Sequence, residues 1–331
     1  MSHGVLLQVS VYNDGSNDET KNILENYRPL FTAHSVDYIV THCSDSNGIR
    51  VLNDILRVGF AKNRAIAKSC GEFLCFCDAD DVFLSCRIVA QLKVALQCDN
   101  PSFTLIGGKF KRIPEFSTER YTKWANSLNS SQLYKQIYTS HGPTLIAPTW
   151  FMSRKLYDAV GGFDESRAFG YPEDLKFFYD ALKLGVKLIR VDEYVTIYRY
   201  HPKCASLKVD ELEIWSLRIK EVSECVISHW DRFMIWSAGK QGKRFFNALS
   251  INDQKKVVAF CDVDVKKVRR GYFEQFDAKT RAVTAKVPIL PISAAVPPVV
   301  ICVKLDLTGG NLEQFLIQKN WREGDDYFHF S

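Results

Sequence analysis

The chain has no run of eighteen apolar residues, and its start, MSHGVLLQVSVYNDGS, lacks a basic segment ahead of a long apolar one. Neither a membrane span nor a secretory leader is expected. No C-x-x-C pair occurs among the ten cysteines, so a zinc site has no framework. Cys75, Cys77, Cys261 and Cys302 instead sit in apolar, strand-like runs, where a free thiol packs as a small core residue. Charge of one sign is also scarce: 43 basic against 38 acidic residues leaves +5, too little and too scattered for a nucleic-acid surface. The basic run KKVRR at 266–270 reads as a solvated helix face. Internal repeats and low-complexity segments are missing. These absences predict a reduced, soluble, cytoplasmic protein with no nucleic-acid partner and no membrane span.

What is present is ordinary globular composition, 46% apolar and 24% charged, in 331 residues, which allows two domains. The first half alternates short apolar runs with helical patterns, as an α/β sheet requires. VLLQVSVYN (5–13) and VDYIVTH (36–42) read as strands. SNDE at 16–19 has capping-box spacing, with Ser16 and Glu19 opening a helix to about residue 32. A helix over 61–71, a strand EFLCFC (72–77), a helix over 86–96 and a strand over 103–110 follow. Residues 111–150 loosen into an excursion rich in Ser, Thr, Tyr and Trp. The pattern returns at TLIAPTWFMS (144–153) and leads to the turn GGFDES, a helix from near Glu173 and two closing strands. The expected division is a first domain over 1–205, a linking helix over 206–230 and a small βαβ domain over 231–331.

FLCFCDADDV (73–82) drives an apolar segment into three aspartates. Were the strand to continue, Asp78 and Asp80 would share a face at the carboxyl end of the sheet, where α/β proteins bind ligands. Clustered carboxylates repel one another unless a cation or a shared proton relieves them. A hard divalent ion bridging to phosphate is one solution, and a cap on the following helix is another. D-x-D-x-V, from Asp78 to Val82, also fits the nucleophile and acid of a dehalogenase-type phosphatase. That motif normally opens a domain, whereas two strands precede it here.

The order VYNDGSNDET, VGFAKNRAIAKSCGEFLCFCDADD, GGFDE and PEDLKFFY resembles family-2 glycosyltransferases of the GT-A fold. The resemblance runs through most of the chain. It implies a metal-assisted, inverting transfer of a sugar from a UDP-sugar, UDP-GlcNAc in the closest pattern, to an acceptor hydroxyl of unspecified identity. By this resemblance Asp14 contacts the uracil or ribose, Asn63 and Arg64 border the nucleotide, and Asp78 lies near the ribose. Asp80 and Asp81 form the metal-binding end of a D-x-D motif for Mn²⁺ or Mg²⁺, joined by His201 of YRYHP. Asp174 is the general base with Glu173 in support, while Trp150 and Phe151 could stack on a sugar or fill the core. The chain enters the family pattern at its second strand. A nucleotide pocket lacking one wall is therefore the alternative expectation, with the chain a catalytically impaired nucleotide- or protein-binding module.

IWSAGKQGKR in the second domain resembles a dinucleotide fingerprint of the Rossmann type, with Ser237 in place of its first glycine and Gly239 and Gly242 at the later spacing. Asp262, at the end of the next strand, is its candidate ribose-binding acid. A structural or partner-binding module is the competing reading.

Overall fold

The computed structural model describes residues 5–43, 58–166, 170–277 and 279–331. Two compact units divide them. The first comprises Met1–Ser130 and Leu145–Glu213, the second Ser131–Thr144 and Ile214–Ser331. Residues 131–144 therefore pack with the second unit, where a division by chain order alone had kept them in the first.

The first unit contains β1 (Gln8–Asn13), α1 (Thr20–Ala33), β2 (Asp37–His42), α2 (Val58–Ala67), β3 (Phe73–Cys75), β4 (Val82–Phe83), α3 (Arg87–Gln97), β5 (Thr104–Ile113) and α4 (Glu119–Ser127). The short α5 (Gln132–Lys135) belongs to the second unit. After it come β6 (Phe151–Ser153), α6 (Arg154–Val160), α7 (Glu173–Lys183) and β7 (Lys187–Arg199). β1 and β2 form a parallel pair separate from a five-stranded sheet ordered β3-β6-β5-β7-β4. Within that sheet β5 and β7 are parallel, and their close approach needs Gly108, where a Cβ would fall 2.5 Å from Val195 Cγ2.

The buried stripe of α3 is Arg87, Gln91 and Ala95, so a helix expected to bury hydrophobics turns two polar side chains inward. The irregular approach to β6 explains them, because its carbonyls lack a ladder and must be satisfied otherwise. Arg87 Nη1 donates to Pro148 O at 2.7 Å, its Nη2 to Trp150 O at 3.2 Å, and Gln91 Nε2 to Thr149 O at 2.7 Å.

Two local expectations are corrected. The capping box at 16–19 does not form: α1 begins at Thr20, and Asp18 Oδ1 accepts from Thr20 N at 3.0 Å. Asn13 Oδ1 accepts from Ser16 N at 2.9 Å, so this segment is spent on an Asx-type turn. The strand at 72–77 stops at Cys75, leaving Phe76 and Cys77 outside the ladder.

α8 (Glu211–Cys225) begins in the last residues of the first unit and runs on into the second, which continues with β8 (Phe233–Trp236), α9 (Lys240–Ala248), α10 (Ile251–Lys255), β9 (Val257–Asp262) and α11 (Val265–Arg270). The second unit closes with β10 (Tyr272–Phe276), β11 (Val283–Pro291), β12 (Val299–Ile301), α12 (Asn311–Gln318) and β13 (Tyr327–His329). The six strands are ordered β10-β11-β9-β8-β12-β13, with every pairing parallel except the β10–β11 hairpin. That hairpin was not foreseen. Its strands are mostly half-exposed and mix polar with apolar residues, which gives a weak period. Met234, Trp236, Val299, Ile301, Leu312 and Leu316 form part of the core between sheet and helix. Among the described residues no helix is long and apolar enough to cross a membrane, and all ten cysteines are free thiols.

Candidate active site

Asp78 to Asp81 lie in a turn, closed by Asp81 N–H donating to Asp78 O at 3.1 Å. They do not ride on a strand, so alternation is not what groups them. Nor do they cap a helix, since α3 starts at Arg87 with Cys86 as its cap residue. Each aspartate meets a different element. Asp78 Oδ1 lies 3.9 Å from Lys62 Nζ of α2, and Asp80 Oδ2 is 2.8 Å from His201 Nε2 beyond β7. Asp81 Oδ1 accepts from Arg199 N at 2.9 Å, while its Oδ2 is buried without a hydrogen-bond partner among the described residues. Burial, reinforced by Asp78 and Asp80 and opposed by the Arg199 hydrogen bond, pushes the Asp81 carboxyl up to about 6.

The orphaned Asp81 oxygen is the kind of buried acceptor that a cation satisfies. Asp80, His201 and Cys204 have ligand atoms within 4.8 Å of one another, so three donors gather beside this turn. The residues present thus fit a divalent ion. Imidazole and sulfur beside carboxylate make a softer set than Mg²⁺ prefers, which favours Mn²⁺ between the two ions expected. His201 Nδ1 accepts from Lys203 N at 3.1 Å, which assigns the proton to Nε2, facing Asp80.

Glu173 and Asp174 open α7, where the unsatisfied amides of a helix N-terminus favour negative charge. Glu173 Oε1 is 3.2 Å from Lys62 Nζ. Asp174 Oδ1 accepts from Leu175 N at 2.7 Å. Burial first, then the Glu173 charge, raises the Asp174 carboxyl to about 6, with Lys62 holding it down. Burial pulls the Lys62 ammonium down, but Asp78, Glu173 and Asp174 more than offset this and keep it charged. Lys62 thereby joins the aspartate turn to the α7 carboxylates. The family resemblance points instead to its neighbours Asn63 and Arg64.

Those neighbours have other work. Asn63 is buried, and its Nδ2 donates to Phe163 O and Glu165 Oε1, each at 2.8 Å. Its Oδ1 accepts from Tyr157 Oη at 2.7 Å and Phe163 N at 3.0 Å. All four bonding positions of the amide are filled, so it locks α2 to the turn after α6 rather than facing a nucleotide. Arg64 lies over the Phe60 ring and donates from Nη2 to Glu165 Oε2 at 3.1 Å. Asp14 follows the end of β1, half-buried, in the turn that Asn13 organises. Trp150 and Phe151 are core residues: Trp150 is 0% exposed with Nε1 donating to Leu145 O at 2.7 Å, and Phe151 stacks on Phe73. Two further residues near the aspartate turn carry little sequence signal. Cys204 had a faint signal, three positions after His201, and Arg112 had none.

In the second unit, Gly242 is required because a Cβ there would lie 1.8 Å from Ser237 O. Asp262 Oδ2 accepts from Ala238 N at 2.8 Å and Lys267 Nζ at 2.9 Å, and its Oδ1 accepts from Asp264 N at 2.9 Å. The carboxylate is committed to fixing the β8–α9 turn.

An aspartate turn with a cation-ready orphan oxygen, facing a buried carboxylate of raised pKa, is a constellation for group transfer. Residues 5–161 match the profile described as "Glycosyl transferase family 2", and the enzyme class is glycosyltransferase. An uncharacterized glycosyltransferase of Rickettsia typhi is 24% identical over 285 residues, covering 79% of this chain and 80% of the relative. An uncharacterized glycosyltransferase of Rickettsia felis is 27% identical over 232 residues, covering 66% of this chain. The match spans 34% of that longer relative.

Proposed function

We propose that the first unit, a GT-A-type domain, moves a sugar from a UDP-sugar to an acceptor hydroxyl with inversion, using Asp174 as general base. The observation that carries this reading is Asp174 itself. It is a buried carboxylate raised to about 6, still ionised at neutral pH and within electrostatic reach of Asp78. A sugar hydroxyl is a poor nucleophile, and a base poised near working pH takes its proton as the new bond forms. The acceptor oxygen bonds to C1 of the donor sugar, and its proton passes to an Asp174 carboxylate oxygen. The C1–O bond to the β-phosphate breaks, and its electron pair leaves with UDP. Glu173 and Lys62 fix the charge around the base, and Asp78 extends that network towards the donor. Asp80, Asp81 and His201, with Cys204, would hold a Mn²⁺ or Mg²⁺ ion, which when bound neutralises the diphosphate.

Resemblance of STERYTKW, GPTLIAPTWF and AGKQGKR to β-1,3-N-acetylglucosaminyltransferase-like sequences favours UDP-N-acetylglucosamine as donor. The reading includes an intracellular, reducing location, in keeping with ten free thiols. The decisive experiment measures UDP release from UDP-sugars with Mn²⁺ for the wild type, Asp174→Asn and Asp80→Ala. Asp174→Asn is expected to lose at least 100-fold in kcat while keeping UDP affinity, a loss in the range of general-base catalysis. Asp80→Ala is expected to lose Mn²⁺-dependent UDP binding. A wild type that binds UDP but transfers and hydrolyses nothing would instead favour a nucleotide-binding module.

A further inference from the structure

Beyond the metal and base positions, β7 separates two buried atoms of opposite character. On one side, Asp81 precedes β4, which pairs with β7 through Val82–Ile197, and Asp81 Oδ1 accepts from Arg199 N. On the other side, β5 pairs with β7 so that Arg112 stands opposite Tyr198 and Ile113 opposite Arg199. Asp81 Oδ2 and Arg112 Nε are both buried without a hydrogen-bond partner among the described residues. Their charges act on one another, yet they form no ion pair within 4.0 Å. A carboxylate and a guanidinium left apart and unsatisfied in one site call for a ligand that carries both signs.

The guanidinium is held for such a task. Its carbon lies 3.9 Å from the Tyr198 ring centroid, 5.4 Å from those of Phe110 and Tyr121, and 5.6 Å from that of Tyr200. Stacking on aromatic faces fixes the plane of an arginine without using its N–H groups. Arg112, with Lys109, Lys111 and Lys123, also lines a cleft of about 770 Å³ whose walls include none of Asp78, Asp80, Asp81 and Asp174. Glu115 and Glu119 lie on the same wall, and Lys109 is paired with Asp192 at 2.6 Å, while Arg112 is the cleft cation whose charge acts on Asp81. Tyr121 and Tyr198 in turn feel the charges of Asp174 and Asp78 respectively.

We infer that Arg112 is a further catalytic residue, donating hydrogen bonds to an oxygen of the donor's diphosphate while the Asp81 carboxylate faces the diphosphate's counter-cation. This deepens the glycosyl-transfer reading and rests on it. As the C1–O bond breaks, its electron pair moves onto the β-phosphate oxygen, and a guanidinium already in place meets that charge without reorganising.

The test is calorimetric titration of UDP with Mn²⁺, and of uridine, into wild type, Arg112→Gln and Arg112→Lys. A charge-assisted contact of this kind predicts a loss of roughly 10- to 100-fold in UDP affinity for Arg112→Gln. Uridine affinity should be unchanged. Arg112→Lys should recover part of the UDP affinity, since it restores the charge but not the fork. It also serves as the working variant should Arg112→Gln fail to fold. Equal UDP affinity across the folded proteins overturns the inference, as does an equal loss for UDP and uridine, which marks a scaffolding role. A wild type that binds no UDP removes the glycosyl-transfer reading itself, a separate result.

Discussion

Replacing Lys62 with methionine keeps the length of the stem and removes an ammonium that touches both the aspartate turn and α7. Its Nζ lies 3.2 Å from Glu173 Oε1 and 3.9 Å from Asp78 Oδ1. Two unit charges about 4 Å apart interact by about 4 kcal/mol at an effective permittivity near 20. Stranding the partner of a buried pair typically costs about 3–5 kcal/mol. The side chains of Lys62 and Glu173 are each 15% exposed while Asp78 is 36% exposed, so most of the loss belongs to the Glu173 contact. We expect about 2–4 kcal/mol of destabilisation, read from urea unfolding.

The more telling readout is the pH–rate profile. Lys62 is what holds the Asp174 carboxyl down to about 6. Without it the rising limb of kcat/KM must move to higher pH. Each unit of displacement costs about tenfold in rate on the acid side of that limb. A limb that stays in place, or moves to lower pH, refutes the assignment of Asp174 as base and of Lys62 as the group that positions its charge. A loss of stability with an unmoved limb would leave Lys62 a packing residue only.

His329, buried in β13, should make the stability of the chain fall with acid. Burial depresses its imidazole to about 4 from an ordinary 6.5, so the unfolded chain takes up a proton that the folded one refuses. Stability is whole above pH 6.5 and declines towards pH 4, by about 3 kcal/mol at about 1.36 kcal/mol per pH unit; His329→Phe should flatten the decline in urea titrations, and an unchanged slope would contradict the burial argument. Gly242→Ala forces a Cβ to 1.8 Å from Ser237 O and should cost more than about 3 kcal/mol, whereas Gly239→Ala meets Ser237 Oγ at 3.2 Å and should be mild. Similar urea midpoints for the two alanine variants would show that the β8–α9 turn relaxes freely.

Much of the architecture was legible because local patterns and burial agree. The apolar run of β9 and its terminal aspartate, the helix after YPEDL and the alternation of strand and helix in the first half all follow from period and punctuation. The site was harder to read, for identifiable reasons. A three-residue β3 hands its aspartates to a turn, and strand alternation says nothing about a turn. The distinction between Lys62 and Asn63 depends on which side of α2 meets Phe163 and Glu173, elements about a hundred positions away. Arg112 lies in a segment whose period is broken by polar and aromatic residues, and its cage draws on Tyr121, Tyr198 and Tyr200 from separate elements. Arg87 and Gln91 invert the usual inference from an amphipathic helix, because the carbonyls they satisfy belong to an irregular stretch that no period announces.

The filled amide of Asn63 has a consequence for how this enzyme responds to change. Aspartate at that position offers no donors to Phe163 O or Glu165 and adds a charge beside a carboxylate. Leucine leaves four partners unsatisfied, and glutamine is one methylene too long. A saturation screen scored by product formation would therefore mark Asn63 as indispensable and invite its placement in the catalytic machinery. Scored by folded yield, the same variants should fall in the same order. The position is intolerant because it is a joint, and its intolerance should be independent of which sugar or acceptor is supplied.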